Sequence, residues 1–159
     1  MNEKELKREC LKLMETADGA YLSTVDSKGF PQTRMMGNLR NKEQCRIAEE
    51  LFAEHSEDFL IYMLTGRSSD KMQHIRANSK VCVYFHSVAE FFTLLLGGDA
   101  ETIDDPDLKK RIWQDEWKRH WPDGPDDREF VMLKLLPQWA KGWYKGVAFG
   151  FKLKDRHQL

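Results

Sequence analysis

Side chains able to hold an anion are concentrated in Thr65-Gly66-Arg67-Ser68-Ser69-Asp70-Lys71. An extended apolar run, Phe59 to Leu64, leads into this stretch, and Met72 and Ile75 follow it at helical spacing. The order is therefore strand, hydroxyl-rich turn and short helix. The first N–H groups of a helix lack intrahelical partners and carry the positive end of its dipole, so they suit a phosphate. The hydroxyls of Ser68 and Ser69 and the ammonium of Lys71 would complete such a cradle. The same residues also suit a plain helix cap, with Arg67 and Lys71 in water, and the segment alone allows both readings. It is not a Walker loop, because the Gly-x-x-x-x-Gly-Lys spacing is absent.

A second candidate is Arg34-Met35-Met36, at the end of an extended segment. A guanidinium on a strand calls for an anion, and adjacent methionines offer polarisable surface to a flat ring. The five histidines, His55, His74, His86, His120 and His157, have no His, Cys or carboxylate at metal-ligand spacing, so no metal is expected. Hydrolase chemistry lacks both a Gly-x-Ser-x-Gly elbow and a cysteine in a nucleophile's setting. Asp104-Asp105 and Asp126-Asp127 sit where helices or loops begin and suit capping.

The elements around these residues follow from periodicity. Leu6, Cys10, Leu13 and Met14 form one stripe of an N-terminal helix, about residues 3–17. Ala20 to Val25 and Phe30 to Met36 flank Asp26-Ser27-Lys28-Gly29, a hairpin that carries Arg34. Polar Asn38 to Gln44 and a short helix at Ile47, Leu51 and Phe52 return the chain to the strand before Thr65. Val81 to Phe85 and Phe91 to Leu96 are further strands, and Gly97-Gly98 marks a bend before Ala100 to Ile103. Asp104-Asp105-Pro106 opens a helix expected to carry Ile112, Trp113, Trp117 and Trp121 on one packing face, stopped by Pro122 and Gly124-Pro125. Phe130 to Leu136, Trp143 and Val147 to Leu153 supply the last strands. Trp143 reads equally as a barrel plug or a ligand contact. The expected fold is mainly β with helices: a six- to seven-stranded antiparallel barrel with flanking helices, as one domain over 1–159.

Composition bounds the function. The chain's 159 residues, 41% of them hydrophobic, suffice for one core. Twenty-five basic and 26 acidic residues give a net charge of −1, so nothing draws the chain to nucleic acid. No apolar run approaches the roughly 20 residues of a membrane-spanning helix. The charged start, Met1 to Glu9, has no signal-peptide core, and a cytoplasmic location is expected. Cys10, Cys45 and Cys82, odd in number and far apart, read as reduced, buried thiols.

Taken in order, several of these segments resemble a known family. Leu22-Ser23-Thr24-Val25 before a glycine turn, Arg34-Met35-Met36, Thr65 to Lys71 with Ile75, Asn78 and Val81, and Gly98-x-Ala100 are similar to the pyridoxamine phosphate oxidase-like, FMN-binding split barrels, in their general stress protein branch. The resemblance covers residues 5 to 150 and implies a split-barrel homodimer with FMN in two clefts shared between subunits. Carried over, it implies that Arg34 approaches the FMN phosphate and that Met35 and Met36 line the flavin. Thr65, Ser69 and Lys71 match the cofactor-binding turn. Thr93 matches a polar residue facing the flavin from a neighbouring strand. Trp143, in the stretch from Pro137 to Trp143, matches a tryptophan that lines the cleft from the partner subunit.

The chain departs from the true oxidases in two places. Their C-terminal Arg-x-His-x-Arg is replaced by Val147-Ala148-Phe149-Gly150-Phe151, and Leu39 stands near the position of a substrate-binding lysine. The resemblance therefore implies an FMN-binding flavoprotein, a flavin-dependent oxidoreductase for an unknown small substrate, and not a vitamin B6 oxidase. The alternatives are a non-catalytic flavin-binding stress or sensor protein, or a split barrel for a deazaflavin or haem.

Overall fold

The computed structural model describes residues 1–153. His157 lies outside the described residues. Helix α1 (Glu3–Thr16) starts with a reciprocal cap: the Asn2 side chain accepts from the Glu5 N–H at 2.9 Å and the Glu5 carboxylate accepts from the Asn2 N–H at 3.0 Å. It buries Cys10, Leu11, Leu13 and Met14 against the sheet. The predicted hairpin is β1 (Ala20–Val25) and β2 (Pro31–Met36). Its turn is tied by the Asp26 carboxylate, which accepts from the N–H groups of Lys28 and Phe30. Then come α2 (Ala48–Leu51), β3 (Ile61–Gly66), α3 (Asp70–Ala77), β4 (Lys80–Ser87), β5 (Phe92–Ile103), α4 (Pro106–Ile112), β6 (Phe130–Leu135), β7 (Trp139–Tyr144) and β8 (Val147–Lys152).

The eight strands form one antiparallel sheet in the order β2-β1-β4-β5-β6-β3, with β7 also on β5 and β8 on β7. The sheet is mainly β architecture as expected, with one strand more than the six to seven read from the sequence. The difference lies after Leu135, where the chain makes a tight hairpin of its own, turning at Lys145 (φ 49°) and Gly146 (φ 82°). Among the described residues β2 pairs only with β1 and β3 only with β6, so the barrel is split between those two edges.

β5 is where the sheet curls. Phe92 to Gly97 pair with β7, and Ala100 to Ile103 pair with β6. The change of partner falls at Gly97-Gly98-Asp99, the bend read from the sequence. Glycine is required at Gly97 because the Trp139 ring lies where a Cβ would stand. Alternating burial on β1, β3 and β4 places Leu22, Ile61, Met63, Val81, Val83 and Phe85 inside, where they join Leu94, Leu96, Leu133 and Leu135 in one core.

Three details correct the sequence reading. Phe91 is outside its strand, in the left-handed region at φ 51°, and β5 begins at Phe92. Cys82 is half-exposed, whereas Cys10 and Cys45 are buried and burial pushes the Cys10 thiol up to about 12. The tryptophan helix is broken: α4 ends at Ile112, and Asp115–Arg119 is a separate 3-10 turn. From Trp113 to Trp121 an unbroken α-helix would extend about 12 Å, too far for all three indoles to meet one ring. Here they do meet one, with centroids 5.4, 6.3 and 4.8 Å from that of Phe130 for Trp113, Trp117 and Trp121. Packing around a buried aromatic has overridden helical periodicity.

Candidate functional site

The split edge holds the candidate site. The inward positions of β1 are Ala20, Leu22 and Thr24, and Thr24 is a fully buried polar residue on that apolar face. Its hydroxyl oxygen accepts from Arg34 Nη1 at 2.7 Å and lies 2.8 Å from His74 Nδ1 on α3. Arg34 Nη1 also donates to the Leu22 carbonyl at 3.3 Å. From the other side, Lys71 Nζ donates to Thr65 Oγ1 at 3.0 Å, and the hydroxyls of Thr65 and Ser69 are 3.3 Å apart. Ser69 precedes α3 but makes no side-chain capping bond to it, so its hydroxyl serves the Thr65–Lys71 cluster instead.

The charge balance of this cluster is one-sided. Among the described residues neither Arg34 nor Lys71 forms an ion pair, and their hydrogen bonds end on neutral oxygens. Burial holds the Arg34 guanidinium below its ordinary value, partly offset by Asp70. Burial, and then the nearby Arg34, hold the Lys71 ammonium below its own, again partly offset by Asp70. Two cations partly withdrawn from water, with Asp70 nearby but in ion-pair contact with neither, favour an added anion. Hard N–H and O–H donors in this number fit a phosphate, each charge-assisted bond being worth about 1.5–3 kcal/mol.

Beside the cluster runs a groove of about 900 Å³ in which the two split edges meet: Met36 from β2, Leu64 and Thr65 from β3, with Lys71 at its side. That is within the range of about 300–1,000 Å³ usual for small-molecule and cofactor sites. Leu39 keeps part of its wall apolar, and Trp117, His120 and Trp121 form another part.

Not every expected residue stands together. Thr65, Ser69 and Lys71 gather in one cluster, and Arg34, bonded to Thr24 and Leu22, lies near enough for its charge to act on Lys71. Met35 and Met36 both reach the groove, yet strand alternation sends their side chains to opposite faces, Met36 into the core and Met35 outward at 66% exposure. Thr93 and Trp143 are cross-strand partners on β5 and β7, with the Trp143 N–H donating to Thr93 Oγ1 at 3.1 Å. They do not line the groove of their own chain. Trp143 is 55% exposed, which excludes the barrel-plug reading. Ser68 leaves the cradle altogether: its N–H and hydroxyl both donate to Glu129 Oε2, at 3.0 and 2.7 Å.

Thr24 enters the sequence analysis only within the Leu22–Val25 motif, His74 only among the histidines and Trp117 and Trp121 only as packing, and Glu129 has no part in it. The signal for Thr24 was present, a hydroxyl at an inward strand position, whereas the partners of the others are distant in sequence.

A family model described as pyridoxamine 5'-phosphate oxidase like matches residues 7–156. The chain belongs to this family. Solved structures share its fold. A protein related to general stress protein 26 from Clostridium acetobutylicum is 21% identical, with a TM-score of 0.74 over 96% of this chain and 97% of that one. General stress protein 26 from Bacillus anthracis is 22% identical, with a TM-score of 0.69 over 94% of this chain and 99% of that one. A haem binding protein from Mycobacterium smegmatis is 10% identical, with a TM-score of 0.66 over 96% of this chain and 60% of that one. No curated protein matches the chain. Among the described residues no helix is long and apolar enough to cross a membrane. Within this family fold, the stretch Val147 to Phe151 that departs from the true oxidases is the outer strand β8.

Proposed function

We propose that the chain is an FMN-binding flavoprotein, acting as a flavin-dependent oxidoreductase on a small substrate. The observation that carries this reading is the half-buried pair Arg34 and Lys71, beside two hydroxyls at the side of the groove and ion-paired to no carboxylate among the described residues. A bound flavin supplies hydride or electron transfer at its own ring, so the protein's task is to bind and orient it. Arg34, Thr65, Ser69 and Lys71 would neutralise the phosphate, and the Met35-Met36 end of β2 would border the ring. Leu39 and the tryptophan wall offer the groove apolar surface for the ring. FMN is expected to bind at least about tenfold more tightly than riboflavin, since only FMN offers an acceptor for the charge-assisted bonds. Equal affinities in a fluorescence titration would reject the phosphate assignment. A steady-state assay with nicotinamide reductants separates an oxidoreductase from a flavin-binding stress or sensor protein that does not turn over.

The same reading calls for a second copy of the chain. The outward sheet face carries exposed Met35 and Trp143 with half-buried Tyr21, Tyr84 and Leu95, more apolar surface than isolated residues leave to water. A partner packed there would bring its Thr93–Trp143 pair towards the flavin. Sedimentation is expected to give a homodimer, and a monomer that retains FMN would contradict the shared cleft.

Haem is the second reading, supported by the haem binding protein that shares the fold and by His120 on the groove wall. Against it, His120 Nε2 already accepts from Arg119 Nε at 3.2 Å. The visible absorption spectrum of the purified protein separates a flavin from a haem.

A further inference from the structure

We infer that Glu129 restricts the cradle to one phosphate group, so that the site takes a flavin bearing a phosphate monoester and rejects one bearing a diphosphate. This rests on the phosphate reading of the cluster above. The turn between β3 and α3 offers two sets of donors. The first, Thr65, Ser69 and Lys71, faces neutral oxygens alone and is open to an anion. The second, the N–H and hydroxyl of Ser68, is closed by a carboxylate of the protein itself.

That carboxylate is held from several sides. Gly66 pairs with Phe130 in the β3–β6 ladder, and the Arg67 N–H donates to the Glu129 carbonyl at 2.9 Å. The Glu129 N–H donates to Asp127 Oδ1 at 2.9 Å, and Arg67 Nε donates to the Arg128 carbonyl at 2.8 Å. Oε2 packs over Gly66, 3.4 Å from where a Cβ would stand, and Glu129 lines the same groove as Thr65 and Lys71. The two Ser68 donors hold its carboxyl below the usual range, so it remains ionised at neutral pH.

A single phosphate at Arg34, Thr65, Ser69 and Lys71 makes no demand on Ser68. The second phosphate of a diphosphate needs donors of its own beside the first. On this turn the Ser68 donors are already satisfied, and the group that satisfies them bears a negative charge, offset in part by the nearby Arg67, which repels the newcomer. Admission of a diphosphate therefore requires Glu129 to be displaced from Ser68.

The test compares FMN with FAD on the full chain by fluorescence titration, with displacement by inorganic phosphate and by pyrophosphate as a ring-free control. The unmodified protein is expected to bind FMN at least about tenfold more tightly than FAD. Glu129→Gln keeps an acceptor for Ser68 while removing the charge, and should narrow the ratio several-fold. Glu129→Ala also frees both Ser68 donors and should narrow the ratio by about tenfold, the value of one charge-assisted contact, through a gain for FAD that exceeds any change for FMN. Pyrophosphate should gain on phosphate in the same order. If Glu129 only fastens the loop to the turn, both affinities and the melting temperature fall together and the ratio stays fixed, which would overturn the inference. So would an unmodified protein indifferent to FMN and FAD. Failure of the underlying phosphate reading is distinct: FMN and riboflavin would then bind the unmodified protein equally.

Discussion

Replacing Arg34 and Lys71 together with alanine is expected to weaken FMN binding by about 100-fold while leaving riboflavin affinity nearly unchanged. Each cation makes one charge-assisted bond of about 1.5–3 kcal/mol, and the lower value applies to both because neighbouring charges do not add independently. Lys71→Ala alone should cost about tenfold. The same double variant is expected to lose little stability when ligand-free, since it removes two cations that burial opposes together with their bonds to Thr24, Leu22 and Thr65. Lys71 sits below its ordinary value in the folded chain, so the unfolded chain binds that proton more tightly. Its charge therefore opposes folding below the folded-state value, and the opposition fades as pH rises through that value towards the ordinary one. Thermal melts with and without FMN measure both effects. Equal loss of FMN and riboflavin would mean that the substitutions damaged the groove rather than a phosphate contact, and no loss of either would return Lys71 to an ordinary helix residue.

The largest loss of stability is expected from Phe130→Ala, about 3–5 kcal/mol by comparison with other buried aromatic truncations. Phe130 is fully buried, receives the faces or edges of Trp113, Trp117 and Trp121, and lies 5.4 Å from the Lys109 ammonium. Without it the three indoles lose their common partner and one wall of the groove loosens. Urea unfolding measures the first effect, and flavin titration the second, where FMN and riboflavin should weaken alike because the phosphate contacts are untouched. A stability change below about 1 kcal/mol would show that the tryptophans pack adequately on one another without this anchor.

Local patterns carried much of this structure. The stripe Leu6, Cys10, Leu13 and Met14, the Asp26–Gly29 turn and the Gly97-Gly98 bend are each decided within a few residues, and each is where the sequence placed it. The turn from Thr65 to Lys71 was legible for the same reason, since strand, hydroxyls and helix start are contiguous. What could not be read locally depends on partners far along the chain. Ser68 meets Glu129 across 61 positions, Thr93 meets Trp143 across 50, and Thr24 meets His74 across 50. The broken tryptophan helix has the same origin: spacing of four predicts one face, but it cannot reveal that a single ring on β6 will draw all three indoles to it.

The exchange of partners along β5 also bears on how the molecule comes apart. One edge of this strand is bonded to β4 for most of its length, while the other passes from β7 to β6. No line through the sheet isolates the β7–β8 arm and the β3–β6 arm from the rest without stripping β5, so neither half can act as an autonomous folding unit. Loss of the molecule's structure is thus expected to be concerted, with the amides of Leu94 and Leu96, inside both the ladder and the core, among the slowest to exchange with solvent. Because these contacts join segments remote in sequence, bringing β5 to its three neighbours closes long loops at an entropic cost.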